Sequence, residues 1–177
     1  LAVLRQDGVH FQRIPAVAER SLPSIPGRGT WNVWAGSWSQ DGAVVAVAKG
    51  KTVLLYGADG AELHALEDHA ANVGRVAMSS DGQLIASHGQ DGEVRIRKRD
   101  GTLLTSFKAA SGDTRQLAFS PDGKRLGAAS YDNLEIFACD GTKLGSIHVQ
   151  FVNFTWGADS ATVFTFNWGV IRRFQID

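Results

Sequence analysis

Cysteine is nearly absent from this 177-residue chain: Cys139 stands alone, so no disulfide can form within it. A lone thiol suits a reducing compartment, and the cytoplasm is the expected location. An excess of charge is missing too. Eighteen basic residues face eighteen acidic ones, which argues against a general binder of nucleic acid or acidic membrane. No apolar run approaches the ~20 residues that cross a bilayer as a helix, and no secretory leader stands at Leu1. The first residue is not methionine, which fits a mature form or a piece of a longer protein. Phosphate loops and nucleotide-binding glycine fingerprints are lacking. So is a convincing helical period in any window.

What the chain has in quantity is Asp-Gly. The stretch SSDGQLIASHGQDGEVRIRKRDG, residues 79–101, holds three such pairs. Along the chain, together with Asp159-Ser160 and Asp132-Asn133, they fall into series. Asp41, Asp81, Asp122 and Asp159 are spaced by 40, 41 and 37 residues. Asp59, Asp100 and Asp140 are spaced by 41 and 40, and Asp91 and Asp132 by 41. Three independent turn series therefore share one repeat length.

Between the turns the residues alternate. Gly36 and Trp38, Val76 and Met78, Leu117 and Phe119, and Phe154 and Trp156 each stand two apart before a turn, which puts each pair on one face of a strand. AVVAVA, QLIAS, KRLGAAS and ATVFTF follow the turns. TVLLYG, EVRIRKR, NLEIFA and VIRRFQ give a third strand, and AELHAL, GTLLTSF and GTKLGSI a fourth. Asp-Gly at the hairpins predicts type I′ turns, with aspartate accepting a positive φ. Four short antiparallel strands in each repeat of ~40 residues predict an all-β chain, a β-propeller of four-stranded blades.

The aspartates read as turn residues, since whole strands separate them and one calcium loop cannot collect them. His10, His64, His69, His88 and His148 lack paired metal-ligand spacing. No metal and no cofactor is expected. Cys139 adjoins a turn and reads as structural. Ser87, His88 and Asp91 are the residue types of a hydrolytic triad, but neighbours on a strand point to opposite faces, so Ser87 and His88 cannot pair. The basic run RIRKR carries Arg95, Arg97 and Arg99. It offers either an anion or nucleic-acid patch, or ion pairs and stacking between blades, because Tyr56 and Phe137 hold the places equivalent to Arg97.

In one unit, His69, Val73, Val76, Met78, SSDG, LIAS, Asp91-Gly92, Val94 and Ile96 resemble the WD-repeat family. The likeness covers residues 31–177, and residues 1–14 line up with 84–98 as the second and third strands of a preceding unit. The repeats are worn. Arg97-Lys98 falls where the family has Trp-Asp. The family's hydrogen-bonded set survives in part as His69, Ser87 and Asp91, and Ala110 or Ser111 replaces the histidine in the next unit. The resemblance implies a partial blade at 1–14, a loop at 15–30 rich in proline and glycine, blades at about 31–66, 72–108 and 113–147, and a partial blade at 148–177. Four to five blades overlap at their ends instead of completing a ring, so further blades are expected from the same chain or another subunit.

A non-enzymatic scaffold for protein or peptide partners is what the resemblance implies, within a multidomain protein or a larger assembly. The alternatives are a small-ligand or enzymatic propeller using its central channel, and weak nucleic-acid binding through Arg95, Arg97 and Arg99. The channel side of the inner strands offers mainly Ser37, Arg75, Gln116 and Thr155. The family's binding face, mapped onto this chain, carries Trp31, Asn32, His69, Asn72, Gln90, Asp113, Tyr131, Asn133 and Trp168. A turn has no packing need for an indole, which makes Trp168 the chief candidate for a partner contact.

Overall fold

The computed structural model of the chain describes residues 2–5, 8–11, 33–67, 69–109, 114–148, 150, 153–167 and 170–176. The loop at 15–30 and the face candidates Trp31, Asn32, Asp113 and Trp168 lie outside the described residues.

Every regular element among them is a strand. A hairpin of β1 (Ala2–Arg5) and β2 (Gly8–Phe11) comes first. Three four-stranded antiparallel sheets follow. The first holds β3 (Val33–Trp38), β4 (Val44–Lys49), β5 (Thr52–Gly57) and β6 (Glu62–Glu67). The second holds β7 (Val73–Met78), β8 (Leu84–Gly89), β9 (Glu93–Lys98) and β10 (Leu103–Lys108). In the third, β11 (Gln116–Phe119), β12 (Arg125–Ala129), β13 (Asn133–Ala138) and β14 (Lys143–His148) pair in chain order. A last sheet has three strands, β15 (Asn153–Trp156), β16 (Thr162–Asn167) and β17 (Val170–Gln175). These are the blades of an all-β propeller architecture.

Strand alternation makes the stack. Odd and even residues of one strand point to opposite faces, so each sheet feeds two apolar layers. Val44, Ala46 and Leu55 meet Val76, Met78 and Ile85 between the first and second sheets. On the other face of the second sheet, Val94 and Ile96 meet Leu117, Phe119 and Phe137. Leu134 and Ile136 then meet Phe154 and Val163. The pairs Val76 and Met78, Leu117 and Phe119, and Phe154 and Trp156 thus insert toward the preceding blade, whereas Trp38 is exposed.

Polar seams join the same neighbours. Ser37 Oγ accepts the Met78 N–H at 3.0 Å. Arg75 Nε donates to the Arg115 carbonyl at 2.5 Å. Gln116 donates to the Phe154 carbonyl at 2.8 Å and accepts its N–H at 3.0 Å. Three of the four polar residues expected to line the channel are therefore clamps between inner strands. A second seam runs through the turns: the Gln40 N–H donates to Ser80 O, the Ser80 hydroxyl to Pro121 O, and the Asp122 N–H to Ser160 Oγ.

The Asp-Gly turns are not type I′, which needs positive φ at both central residues. Here glycine alone takes it: Gly42, Gly82 and Gly123 lie at 69°, 67° and 70°, while their aspartates stay right-handed. Aspartate serves as a hydrogen-bond hub instead. Asp81 Oδ1 accepts the Ser79 hydroxyl at 2.6 Å and the Gln83 N–H at 3.0 Å, while Ser79 Oγ accepts the Leu84 N–H at 2.9 Å. Ser39–Asp41 and Ser120–Asp122 repeat the arrangement. The fourth turn, Gly157 to Ser160, exchanges the serine and glycine places. Ser160 must then adopt the positive φ, 59°, and the Thr162 hydroxyl replaces the missing serine by donating to Asp159 at 2.5 Å.

A side chain at Gly82 meets two obstacles, the φ itself and Ser39 Cβ at 3.0 Å from the new Cβ. Gly82→Val should lower stability by roughly 1–2 kcal/mol, whereas Asp81→Asn keeps both acceptor contacts and should change little. Urea unfolding of the two variants checks the contrast. Metal binding that vanished in Asp81→Asn would overturn the structural role of these carboxylates.

Candidate partner-binding face

The turn between β8 and β9 meets the segment that enters β7, where the Gln90 N–H donates to the Asn72 carbonyl, and Tyr131, in the turn between β12 and β13, lies beside Arg115, just before β11. His69 belongs to this end of its blade but is buried, at 5% exposure. Its Nδ1 lies 3.3 Å from both Asp91 oxygens, and its Nε2 lies 2.8 Å from Ser87 Oγ. Asp91 can only accept, so Nδ1 carries the proton and the Ser87 hydroxyl donates to Nε2. Asp91 also accepts the Ala70 N–H at 2.9 Å and the Glu93 N–H at 3.1 Å. Gly89 makes room for the pair: a Cβ there would lie 2.4 Å from both Asp91 Oδ1 and His69 Nδ1.

Burial lowers the His69 pKa below its ordinary 6.5, outweighing the pull of Asp91 in the other direction. For Asp91, burial pushes upward, but the Glu93 and Ala70 N–H groups and His69 together hold the carboxyl below its usual 3.8. A neutral ring between a carboxylate and a hydroxyl has the order of a nucleophilic triad. The partner of Ser87 is His69, not its chain neighbour His88. Ser87 is itself only 4% exposed, so the set ties the segment before β7 to strand β8 and to the following turn.

Of the other expected face residues, Gln90 is exposed and its N–H donates to the Asn72 carbonyl at 2.8 Å. Asn72 and Asn133 are half-buried, and the Asn133 N–H donates to Ser130 Oγ at 3.2 Å. Tyr131 stands 44% exposed. Over its ring lies the guanidinium of Arg115, 4.9 Å from the centroid. Sequence reasoning passed over Arg115. The signal was an arginine at a place where the preceding repeat has Gly74.

The basic run is divided among separate tasks. Arg95 pairs with Glu93 at 2.6 Å. Arg97 Nη1 donates to the Gly101 carbonyl at 2.7 Å. Arg99 joins His64, Gln83, Leu84, Lys98 and Asp100 around an open groove of about 600 Å³. A second groove, about 430 Å³, runs beside Met78, Gln116, Phe119 and Trp156. Its main polar groups already serve the seams, with Trp156 Nε1 donating to Ala118 O at 3.1 Å. Cys139 Sγ donates to Gly123 O, and burial, with Asp122 and Asp140 nearby, pushes the thiol up to about 11. It is a poor nucleophile there.

Blades of this construction define a propeller built from sequence repeats. The WD domain, G-beta repeat, matches residues 60–97 and 101–134. Over those two stretches the chain carries repeats of the WD type. It is 31% identical over 126 residues to the small ribosomal subunit protein RACK1z of Oryza sativa subsp. japonica, across 63% of this chain and 37% of that relative. The chain thus spans little more than a third of that relative's length.

Proposed function

We propose that the chain is a non-enzymatic scaffold that binds a protein or peptide on the face carrying Gln90, Tyr131 and Trp168, and that it acts in the cytoplasm as part of a larger propeller. One observation carries the reading. Of the side chains with catalytic chemistry, Ser87 and His69 are buried within a blade and Asp91 is half-buried, whereas the same end of the molecule exposes Tyr131 and Gln90. Aromatic side chains held on a rigid surface suit a protein interface. Further blades, from the same chain or another subunit, would cover the apolar residues left exposed on the outer sheets, Trp38 at 52% and Ile171 at 66%.

Affinity capture with the full chain, followed by mass spectrometry, would supply a partner for measurement. Trp168→Ala and Tyr131→Ala should each weaken that partner by about 2 kcal/mol while leaving the melting temperature within a degree or so of the parent. Undiminished affinity in both variants, with a large loss of stability, would assign the two aromatics to packing and remove the proposed face.

A further inference from the structure

We infer that Arg115, stacked on Tyr131 and flanked by Arg75, is a receptor for one oxyanion of the partner: a carboxylate, or the phosphate of a phosphorylated side chain, on an extended peptide. The inference rests on the proposed face and adds the chemistry recognised there.

The arginine is held ready. Its backbone N–H donates to the Ala129 carbonyl at 2.7 Å, and its own carbonyl accepts Arg75 Nε. Both backbone groups are thus fixed, one within the blade and one by the preceding blade. The side chain is exposed, and its guanidinium carbon lies over the Tyr131 ring, 4.9 Å from the centroid. Among the described residues that guanidinium makes no hydrogen bond and no ion pair. The N–H donors of a guanidinium lie in its own plane, a fork that takes a carboxylate or phosphate through two parallel bonds while the ring contact holds the group in place.

Arg75 adds a second positive charge beside the first. Its Nε and Nη1 donate to the Arg115 and Gly74 carbonyls, so it neutralises no carboxylate among the described residues. Among the described residues, Arg95 by contrast is paired with Glu93 and Lys143 with Glu135. Asp132, next to Tyr131, accepts the Ser130 hydroxyl at 3.4 Å. In a chain of zero formal net charge, the guanidinium of Arg75 against the backbone of Arg115 adds to a local positive site.

The repeats supply an internal control. The preceding unit has Gly74 where this one has Arg115 and Gln90 where it has Tyr131. That unit forms its own four-stranded sheet with neither residue. The fold does not call for the Arg–Tyr pair, and each partner of the pair is exposed enough to be reached.

Fluorescence polarisation with the full chain at low salt tests this. The probes are a labelled Gly-Ser peptide carrying a central pair of glutamates, its glutamine counterpart, and a phosphoserine counterpart. At least one anionic peptide should bind about fivefold or more tighter than the glutamine peptide, and which one does so names the source of the oxyanion. Arg115→Gln should abolish the preference. Arg115→Lys should keep only a small part of it, because an ammonium neither stacks nor forks. Tyr131→Phe should retain it and Tyr131→Ala should lose most of it. Equal binding of all three peptides, or an unchanged preference in Arg115→Gln, overturns the inference. If that happens while Tyr131→Ala still releases the captured partner, the scaffold reading stands and only its acidic chemistry falls.

Discussion

Gly127→Val is expected to loosen the joint between the third and fourth blades and to lower stability by about 3 kcal/mol. Gly127 sits in mid-strand on β12, opposite Ala118 and Ile136. Its missing side chain is a seat for the Phe154 ring: a Cβ at this position would lie 2.5 and 2.6 Å from two ring carbons. The ring cannot retreat easily. Phe154 is 3% exposed, its N–H and carbonyl are both held by Gln116, and Trp156 meets it edge-on at 6.4 Å. Alanine brings the same Cβ, so Gly127→Ala should cost nearly as much as valine, unlike an ordinary strand glycine, where alanine is favourable. Phe154→Ala alone should cost about 3–5 kcal/mol through the cavity it leaves. The double variant Gly127→Ala/Phe154→Ala should then cost much less than the sum, since the new methyl enters space the ring has vacated. Urea unfolding of the four proteins measures that coupling, and strict additivity would show that the ring and the glycine do not share this seat.

The repeat frame was readable because turn chemistry and strand alternation are local. Ser79, Asp81 and Gly82 lie within four residues, and their spacing alone marks the bend. The wrong detail, type I′, came from treating Asp-Gly as a pair with one shared conformation. In this fold the two residues divide the work, one accepting hydrogen bonds and the other taking the positive φ. Non-local features were harder to see. Gln116 meets Phe154 38 residues away, and Ser37 meets Met78 41 residues away. These offsets lie within a residue of the repeat length, yet only the stacking of blades turns regular spacing into contact. The same holds for Gly127 and Gly89, ordinary strand glycines by sequence whose need for a bare Cα comes from side chains of other strands. Face residues were chosen by loop position. That criterion picks the exposed Tyr131 and Gln90 alike with His69, which occupies a loop and is buried by partners 18 and 22 residues downstream.

Gly89→Ala is expected to dismantle the buried set around His69 and to cost about 3 kcal/mol, close to the effect of His69→Ala itself. A methyl at 2.4 Å from both His69 Nδ1 and Asp91 Oδ1 cannot coexist with their hydrogen bond. Once the ring is displaced, Ser87 Oγ loses its acceptor and Asp91 keeps only its backbone donors. Each buried polar group left without its partner costs on the order of 1–3 kcal/mol. The double variant Gly89→Ala/His69→Ala should therefore be little worse than either single one, as both act on one set. Acid supplies a second readout. The folded His69 holds a lowered pKa because burial disfavours its charged form, so near neutral pH folded and unfolded chains both keep it neutral. Below pH ~6.5 the unfolded chain takes up the proton first. The stability present above that pH is thus lost as the pH falls through it toward the folded value. Asp91, with its carboxyl also held low, adds a further loss only below pH ~3.8. In Gly89→Ala the displaced ring titrates as it does in the unfolded chain, and the first of these losses should shrink. Unfolding free energies measured from pH 7.5 down to 5 in parent and variant give the difference directly. Parallel curves, together with a cost under ~1 kcal/mol for Gly89→Ala, would mean that the His69–Asp91 pair contributes little to holding this blade together.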